Sequence, residues 1–389
     1  MNFKHQDIIE FIKTLYPNQD LIPLHAPVFF GKEKEYLLDC IETTYVSYVG
    51  KFVNRFEEMT SDYTGAKYAV AVVNGTAALQ VALQIAGVKY GDEVITQPLT
   101  FVATANAISH CGAVPVFIDV DLDTMGMSPE KLNDWLSKNT KRSNLSQPSQ
   151  TINKLTNKPI SAIVPMHTFG FPCRIEDIVE VANKYNIPVI EDSAESLGSL
   201  FKGKHTGTFG VAGILSYNGN KTITTGGGGM IITDDEKFAA KAKHITTTAK
   251  IPHPFEFVHD EIAYNYRLPN INAAIGVSQM ENIDFIIDDK RKTAFLYEEF
   301  FKDKGLEFVT EINYAKANYW LNSILLPDYS SRNEFLVYSN SKNIQCRPAW
   351  VLLSKLKMFS GDIKGDLSNA LQLEERLINL PSSLRINIR

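Results

Sequence analysis

The stretch AKYAVAVVNGTAALQVALQIAGV, residues 66–88, decides the fold class. Ala69 to Val73 is a short apolar run, Asn74-Gly75-Thr76 reads as a turn, and Ala77 to Ala86 is built of good helix formers. The same order recurs downstream. DEVITQPL (92–99) reads as a strand, and FVATANAISHCG (101–112) as a helix closed by Gly112. VPVFIDV (114–120) is a strand, and SPEKLNDWLS (128–137) is a helix begun by Ser128 with Pro129 in its first position. SAIVPMHTFG (161–170) is a strand with a polar tip, IEDIVEVANKYN (175–186) a helix and IPVIEDS (187–193) a strand. Short apolar strands alternating with helices predict an α/β fold whose mainly parallel sheet is covered on both faces. In such sheets functional groups gather beyond the carboxyl ends of the strands. Asn74-Gly75-Thr76, Thr100-Phe101, Asp119, His167 and Glu191-Asp192 all stand at expected strand ends.

The remainder of the chain bounds the answer. Its 389 residues exceed one small core and predict a large domain with a smaller companion. Residues 1–250 read as an N-terminal arm plus the large domain. Residues 251–389, where the alternation fades, read as a smaller α+β domain with strands in NYWLNSILLPD (318–328) and RPAWVLL (347–353). The polar segment 139–158 reads as a long surface connection. A net charge of −5 excludes a global basic field for nucleic acid or an anionic membrane. No apolar run of about 18 residues predicts a membrane span. The N-terminus is charged and amphipathic, unlike a signal peptide, and the four cysteines are scattered, so a reduced, cytoplasmic protein is expected. No cysteine or histidine spacing predicts a metal site; His253 and His259 read as residues of a substrate-side loop.

Three strand-end features carry chemistry. The turn at Gly75 presents free N–H groups at a helix N-terminus, suited to an anion, although an ordinary capped turn looks the same. Asp192 ends an apolar strand and needs a cation or donor if buried. Lys221 sits in SYNGNKTITTGGGGM (216–230), and a desolvated lysine amine can form a Schiff base with an aldehyde. A phosphate cradle, a carboxylate for a pyridinium and an amine nucleophile together match pyridoxal 5′-phosphate (PLP). Glycines 226–229 are expected to keep bulk out of the site, so that Gly227→Val lowers cofactor occupancy.

From Leu21 to Ser383 the sequence resembles the DegT/StrS-type sugar aminotransferases, a PLP fold type I family with the aspartate-aminotransferase-like architecture. The resemblance rests on NGTAAL (74–79), TFVATANAI (100–108), PMHTFGFP (165–172), EDSAESLGS (191–199), SYNGNKTITTGGGGM, YNYRLPNINAAIG (264–276) and RPAW (347–350). It implies that Lys221 is the Schiff-base lysine and proton shuttle, and that Asp192 pairs with the pyridine nitrogen. It further implies that Phe101 and Ala194 flank the ring, that Gly75, Thr76 and Ser216 hold the phosphate, and that Asn265 reaches it from a second subunit of a homodimer. Many members carry Gln where this chain has Glu195, which repels the cofactor's phenolate unless protonated or turned away. Arg267 and Arg347 are candidates for anionic substrate groups, with ion pairing the alternative for each, and His167 is a candidate for the sugar pocket, with a structural role the equal alternative.

The segments 22–57, 246–267 and 347–359 resemble members of the legionaminic acid and bacillosamine type. That implies transfer of an amino group from L-glutamate to C4 of a UDP-2-acetamido-2,6-dideoxy-4-hexulose. The alternatives are a GDP- or dTDP-linked 4-keto sugar, as in perosamine-type enzymes, or a PLP-binding dehydratase or non-catalytic homologue. The retained lysine weighs against a dehydratase, and the lack of a helix-turn-helix extension or basic arm against a DNA-binding regulator.

Overall fold

The computed structural model describes residues 4–143 and 150–385. Seven strands form the main sheet: β1 (Tyr68–Val72), β2 (Glu93–Thr96), β3 (Val114–Phe117), β4 (Ile160–Val164), β5 (Ile190–Asp192), β6 (Ala212–Ser216) and β7 (Gly229–Thr233). One ladder runs β3-β2-β4 and the other β5-β6-β7-β1. The parallel bridges Ile163–Val189 and Met166–Asp192 join them. Only β7 runs antiparallel to its neighbours β1 and β6, so the mainly parallel sheet expected from the alternation is present.

Both faces are covered, as the near-continuous apolar strands require. Val70 and Val72 of β1 and Ile231 of β7 pack with helices α4 (Gly75–Ile85), α5 (Val102–His110) and α8 (Glu236–Thr246). The alternate residues Ala71, Met230 and Ile232 face α3 (Lys51–Thr64) and α9 (Asn270–Met280), where Phe56 and Ala274 are fully buried. Helices α6 (Pro129–Asn139) and α7 (Ile175–Lys184) cover Ile95, Val116 and Ile163. The local signals read from the sequence act as expected. Ser128 Oγ accepts the Lys131 N–H, Pro129 opens α6, and Gly112 takes a left-handed φ of 71° just beyond α5.

Two readings need correction. Segment 139–158 is not wholly an irregular connection: Thr140–Arg142 pairs antiparallel with Thr151–Asn153, while residues 144–149 lie outside the described residues. Thr140, Thr151 and Asn153 are buried, and Asn153 Nδ2 and Thr156 Oγ1 donate to the buried Glu93 carboxylate at 2.7 and 2.6 Å. The RPAWVLL strand is only Arg347–Pro348, followed by a 3-10 turn at Leu353–Lys355.

That short strand, β10, belongs to an antiparallel sheet with β8 (Glu307–Phe308), β9 (Asn322–Leu325) and β11 (Leu377–Leu380), in the order β8-β9-β11-β10. Helix α1 (His5–Leu15) packs here, burying Ile8, Ile9, Ile12 and Leu15 beside Phe301, Phe335 and Ile378. The N-terminal arm therefore divides, with α1 on this second sheet and α3 on the first.

The glycine run has a different critical member from the expected one. A Cβ on Gly229 would lie 2.4 Å from the Asn74 carbonyl carbon and 2.7 Å from the Gly75 nitrogen, whereas one on Gly227 has nothing closer than 3.9 Å. Gly229 thus lets β7 pass against the turn that starts α4. Gly229→Ala is expected to lower stability by about 1–3 kcal/mol through overpacking against backbone, and to weaken PLP binding. Gly227→Ala should leave both near the parent. Thermal unfolding and PLP titration of the two variants check this, and equal behaviour would refute it.

Candidate active site

The carboxyl ends of β1, β4, β5 and β6 open onto one cavity of about 250 Å³. Asn74, Gly75 and Thr76 form its floor at the start of α4. Asn74 Oδ1 caps the helix by accepting the Ala77 N–H at 2.8 Å, which leaves the first N–H groups of the helix without an intrahelical partner. A Cβ on Gly75 would come within 3.1 Å of Ser216 Cβ, so glycine keeps the cradle open beside Ser216. Phe101, at the start of α5, is 48% exposed and lies on the cavity wall, while Ala194 lines it from the loop after β5.

Asp192 lines the same cavity, yet only 5% of it is exposed. Its Oδ2 accepts the Thr104 hydroxyl at 2.7 Å and its Oδ1 the Ala194 N–H at 3.2 Å. Thr104 Oγ1 also lies 2.7 Å from Thr100 Oγ1, so a short hydroxyl chain fixes the carboxylate.

Lys221 reaches the cavity from the loop after β6. Its Nζ lies 3.0 Å from Glu195 Oε1 and 4.2 Å from the centre of the Trp320 ring. Glu195 is buried, and its other oxygen accepts the Phe169 N–H at 2.9 Å. Burial pushes the Glu195 carboxyl up to about 7, against the opposing pull of Lys221. The charged form is therefore in balance with the neutral one near neutral pH, which answers the concern about a fixed negative charge at this position.

The other expected site residues lie elsewhere. His167 does not line the cavity: it is fully buried, its Nδ1 accepts the Cys173 N–H at 3.2 Å, and its Nε2 sits 3.0 Å from Glu191 Oε2. Arg267 is not free for substrate either. It is 6% exposed, with Nη2 2.8 Å from Glu57 Oε1 and Nη1 donating to the Ala71 carbonyl at 2.8 Å. It ties α3 to β1, the ion-pair alternative. Asn265 is exposed, in an antiparallel bridge to Thr247. Arg347 lines a second cavity of about 450 Å³, which Trp320 also lines.

Sequence reading missed Thr104, Trp320 and Asn318. Thr104 stands one helical turn after Phe101, a spacing that signals a shared face. Trp320 and Asn318 have no local signal. Asn318 is fully buried, and its Nδ2 donates to the carbonyls of Glu195 and Leu197, both at 2.9 Å. Trp320 Nε1 donates to the Asn220 carbonyl at 2.7 Å. These two residues fasten the loops that carry Glu195 and Lys221.

Comparison with known proteins places this geometry among relatives. The model of the DegT/DnrJ/EryC1/StrS aminotransferase family matches residues 30–387. A GDP-perosamine synthase of Escherichia coli O157:H7 is 38% identical over 365 residues, which is 93% of each chain. A putative pyridoxal phosphate-dependent aminotransferase of Bacillus subtilis, EpsN, is 37% identical over 339 residues, 87% of this chain and 84% of that one. Helicobacter pylori PseC, an aminotransferase involved in the biosynthesis of pseudoaminic acid, shares the fold, with a TM-score of 0.83 at 24% identity over 93% of each chain.

The Glu195 environment has a pH signature. Its folded value of about 7 lies above the ordinary 4.5, so the folded chain binds the extra proton. Stability is then lost as pH rises between those two values. In the cofactor-free protein, Glu195→Gln should remove this loss. Its melting temperature relative to the parent should climb from about pH 5 to about pH 7.5, and a difference that does not vary with pH would overturn the assignment.

Proposed function

The chain belongs to the DegT/DnrJ/EryC1/StrS aminotransferase family, and from that premise we propose that it moves an amino group from L-glutamate to C4 of a nucleotide-linked 4-keto-6-deoxy sugar, GDP-linked in preference to UDP-linked. It is a PLP-dependent sugar aminotransferase. The GDP reading is supported by the 38% identity to a GDP-perosamine synthase over 93% of both chains. The UDP-acetamido sugar favoured by the sequence segments has no comparable support and stands second.

The observation that carries the reading is the convergence of Lys221, Asp192 and the α4 N-terminus on one cavity. The residues fit PLP. A helix start with open N–H groups and the Gly75–Ser216 cradle suit its phosphate, and a buried, hydrogen-bonded carboxylate suits its pyridinium. When bound, PLP supplies the electron sink that loosens the C–H bond beside nitrogen and carries the amino group between the two substrates.

The chain's own groups do the rest in this proposal. Asp192, fixed in place by the Thr104 hydroxyl and the Ala194 N–H, pairs with the ring nitrogen. Phe101 offers a ring face and Ala194 a small surface opposite. Lys221 Nζ is the nucleophile and proton carrier, and Glu195 Oε1, 3.0 Å away, is placed to take a proton from it. One site serves both substrates in turn, so ping-pong kinetics is expected.

A homodimer in the cytoplasm is the proposed setting. Apolar side chains at Tyr45, Val46, Tyr48 and Val49, and at Phe255, Phe257 and Ile262, lie exposed on the single chain. Asn265, also exposed, adjoins the second group. Such patches suit burial against a second copy. Among the described residues, no helix is long and apolar enough to cross a membrane.

The test is spectroscopic and then chemical. The visible absorption of the PLP-loaded protein should shift to shorter wavelength with L-glutamate, and revert with a GDP-linked 4-keto-6-deoxy sugar faster than with its UDP- or dTDP-linked counterparts. Lys221→Ala should cut turnover by more than about a thousandfold while the protein stays folded. Reversion by the UDP sugar alone would restore the second reading, and indifference to glutamate would sink the transamination proposal.

A further inference from the structure

The second cavity, of about 450 Å³, is built on one strand pair of the smaller sheet. Arg347 of β10 stands directly opposite Asn379 of β11 in their antiparallel ladder, so both side chains leave the same face, and both line the cavity. Gln345, two residues before Arg347, lines it too, and Leu24, Trp320 and Trp350 add apolar surface.

The three polar side chains have donors to spare. Asn379 is 2% exposed and its Oδ1 accepts the Ser323 hydroxyl at 2.7 Å, yet its Nδ2 has no acceptor among the described residues. A buried amide in that state calls for a partner. The Gln345 side chain makes no hydrogen bond among the described residues. Arg347 Nη1 donates to Asn340 Oδ1 at 2.9 Å and to the Cys346 carbonyl at 3.0 Å, both neutral acceptors. Among the described residues no carboxylate pairs with Arg347, so the ion-pair alternative does not hold for it as it does for Arg267, and no carboxylate lines the cavity. His25 lines it, but both of its ring nitrogens are shut off from solvent. Burial holds that imidazole well below its ordinary 6.5, so it brings neither an open donor nor a charge. One cation, two amides and no acid suit a single negative charge. A carboxylate only accepts, and a guanidinium meets it with paired N–H groups.

The cavity borders the chemistry without containing it. Lys221 lines the first cavity and not this one. Asn220, its neighbour in the chain, lines the second, as does Trp320, whose ring centre is 4.2 Å from Lys221 Nζ. Trp350 is 6.1 Å from Phe101 of the first cavity between ring centres.

Resting on the sugar-aminotransferase reading above, we propose that Arg347 is a donor-specificity residue that, with Asn379 and Gln345, holds the side-chain carboxylate of L-glutamate in this second cavity. The α-carboxylate is attached to the carbon whose proton Lys221 moves, so it stays in the first cavity. The side-chain carboxylate lies two methylenes farther out and reaches the second, with indole surface beside the methylenes. A nucleotide diphosphate carries more charge than one guanidinium balances, and is the competing occupant.

The PLP-loaded protein is mixed with L-glutamate, L-glutamine or L-alanine, and loss of the visible cofactor band gives a half-saturating concentration and a limiting rate. Arg347 is exposed, so Arg347→Met should keep the parent's melting temperature. It should raise the half-saturating concentration of L-glutamate about thirtyfold, as for a lost hydrogen bond to a charged group, with little change in the limiting rate. L-Glutamine and L-alanine, which lack that charge, should react as with the parent, and Arg347→Lys should recover part of the loss. Trp320 and Trp350 line the cavity, so intrinsic fluorescence reports its occupancy. Glutarate, which has both carboxylates and no amine to react, should change the parent's fluorescence, with a Kd that rises by a similar factor in Arg347→Met.

Unchanged glutamate saturation and glutarate binding in Arg347→Met overturn the inference. So does an equal loss with L-alanine, which would assign Arg347 to the α-carboxylate or to structure. A loss confined to reversion by the nucleotide sugar also overturns it and makes this the diphosphate's cavity. If the parent's band responds to no amino acid, the transamination reading itself fails and the inference falls with it.

Discussion

Three carboxylates, Glu191, Asp192 and Glu195, are buried within five consecutive residues that begin inside strand β5. Each must find donors, because an uncompensated buried charge would cost more than a domain's whole net stability. Glu191 accepts N–H groups from Gly207, Phe209 and Gly210 at 2.6 to 2.7 Å and faces His167. Asp192 takes Thr104 and Ala194. Glu195 takes Phe169 and Lys221. Meeting this requirement pins the 207–210 turn, the start of α5, the 167–173 corner and the lysine loop about one strand end. The site is in large part the set of donors those charges demand.

The compensation is graded, and the grading separates structure from chemistry. Glu191 is ringed by donors that do not move and opens on no cavity. Asp192 is ringed too but lines the cavity, so its charge is available to a bound cation. Glu195 accepts one backbone N–H and faces the Lys221 amine, and burial is the largest influence lifting its carboxyl to about 7. Phe169 contributes its N–H from a left-handed backbone with φ 56°, a conformation that non-glycine residues rarely adopt and that the surrounding packing must hold.

The second sheet takes part in this arrangement. Asn318, just ahead of β9, hydrogen-bonds the backbone of Glu195 and Leu197, and Trp320 hydrogen-bonds Asn220 beside Lys221. The lysine loop is thus held from both directions, by β6 and β7 beneath it and by the Asn318–Trp320 segment above. Trp320 also lines the cavity of His25, so one indole both fastens the lysine loop and borders that second space.

Much of this was legible in the sequence because it is local. The strand–turn–helix alternation fixes neighbouring backbone conformations, and parallel strands set their carboxyl ends together. Gly75, Thr76, Phe101 and Asp192, which stand at strand ends, meet around one cavity with Ala194, Ser216 and Lys221, which the family resemblance added. Tertiary structure alone decided which charged and polar groups stay free. His167 and Arg267 looked like substrate contacts, but partners far away in the chain or hidden by the fold, Glu191 and Glu57, consume them. Gly229, not Gly227, marks the close approach, because only the folded chain brings β7 against Asn74. Trp320 and His25 carry no local motif and acquire their places from contacts that span the chain. A side chain's chemistry is written in its residue type, but its availability is set by burial and pairing, and these depend on which distant segments pack together.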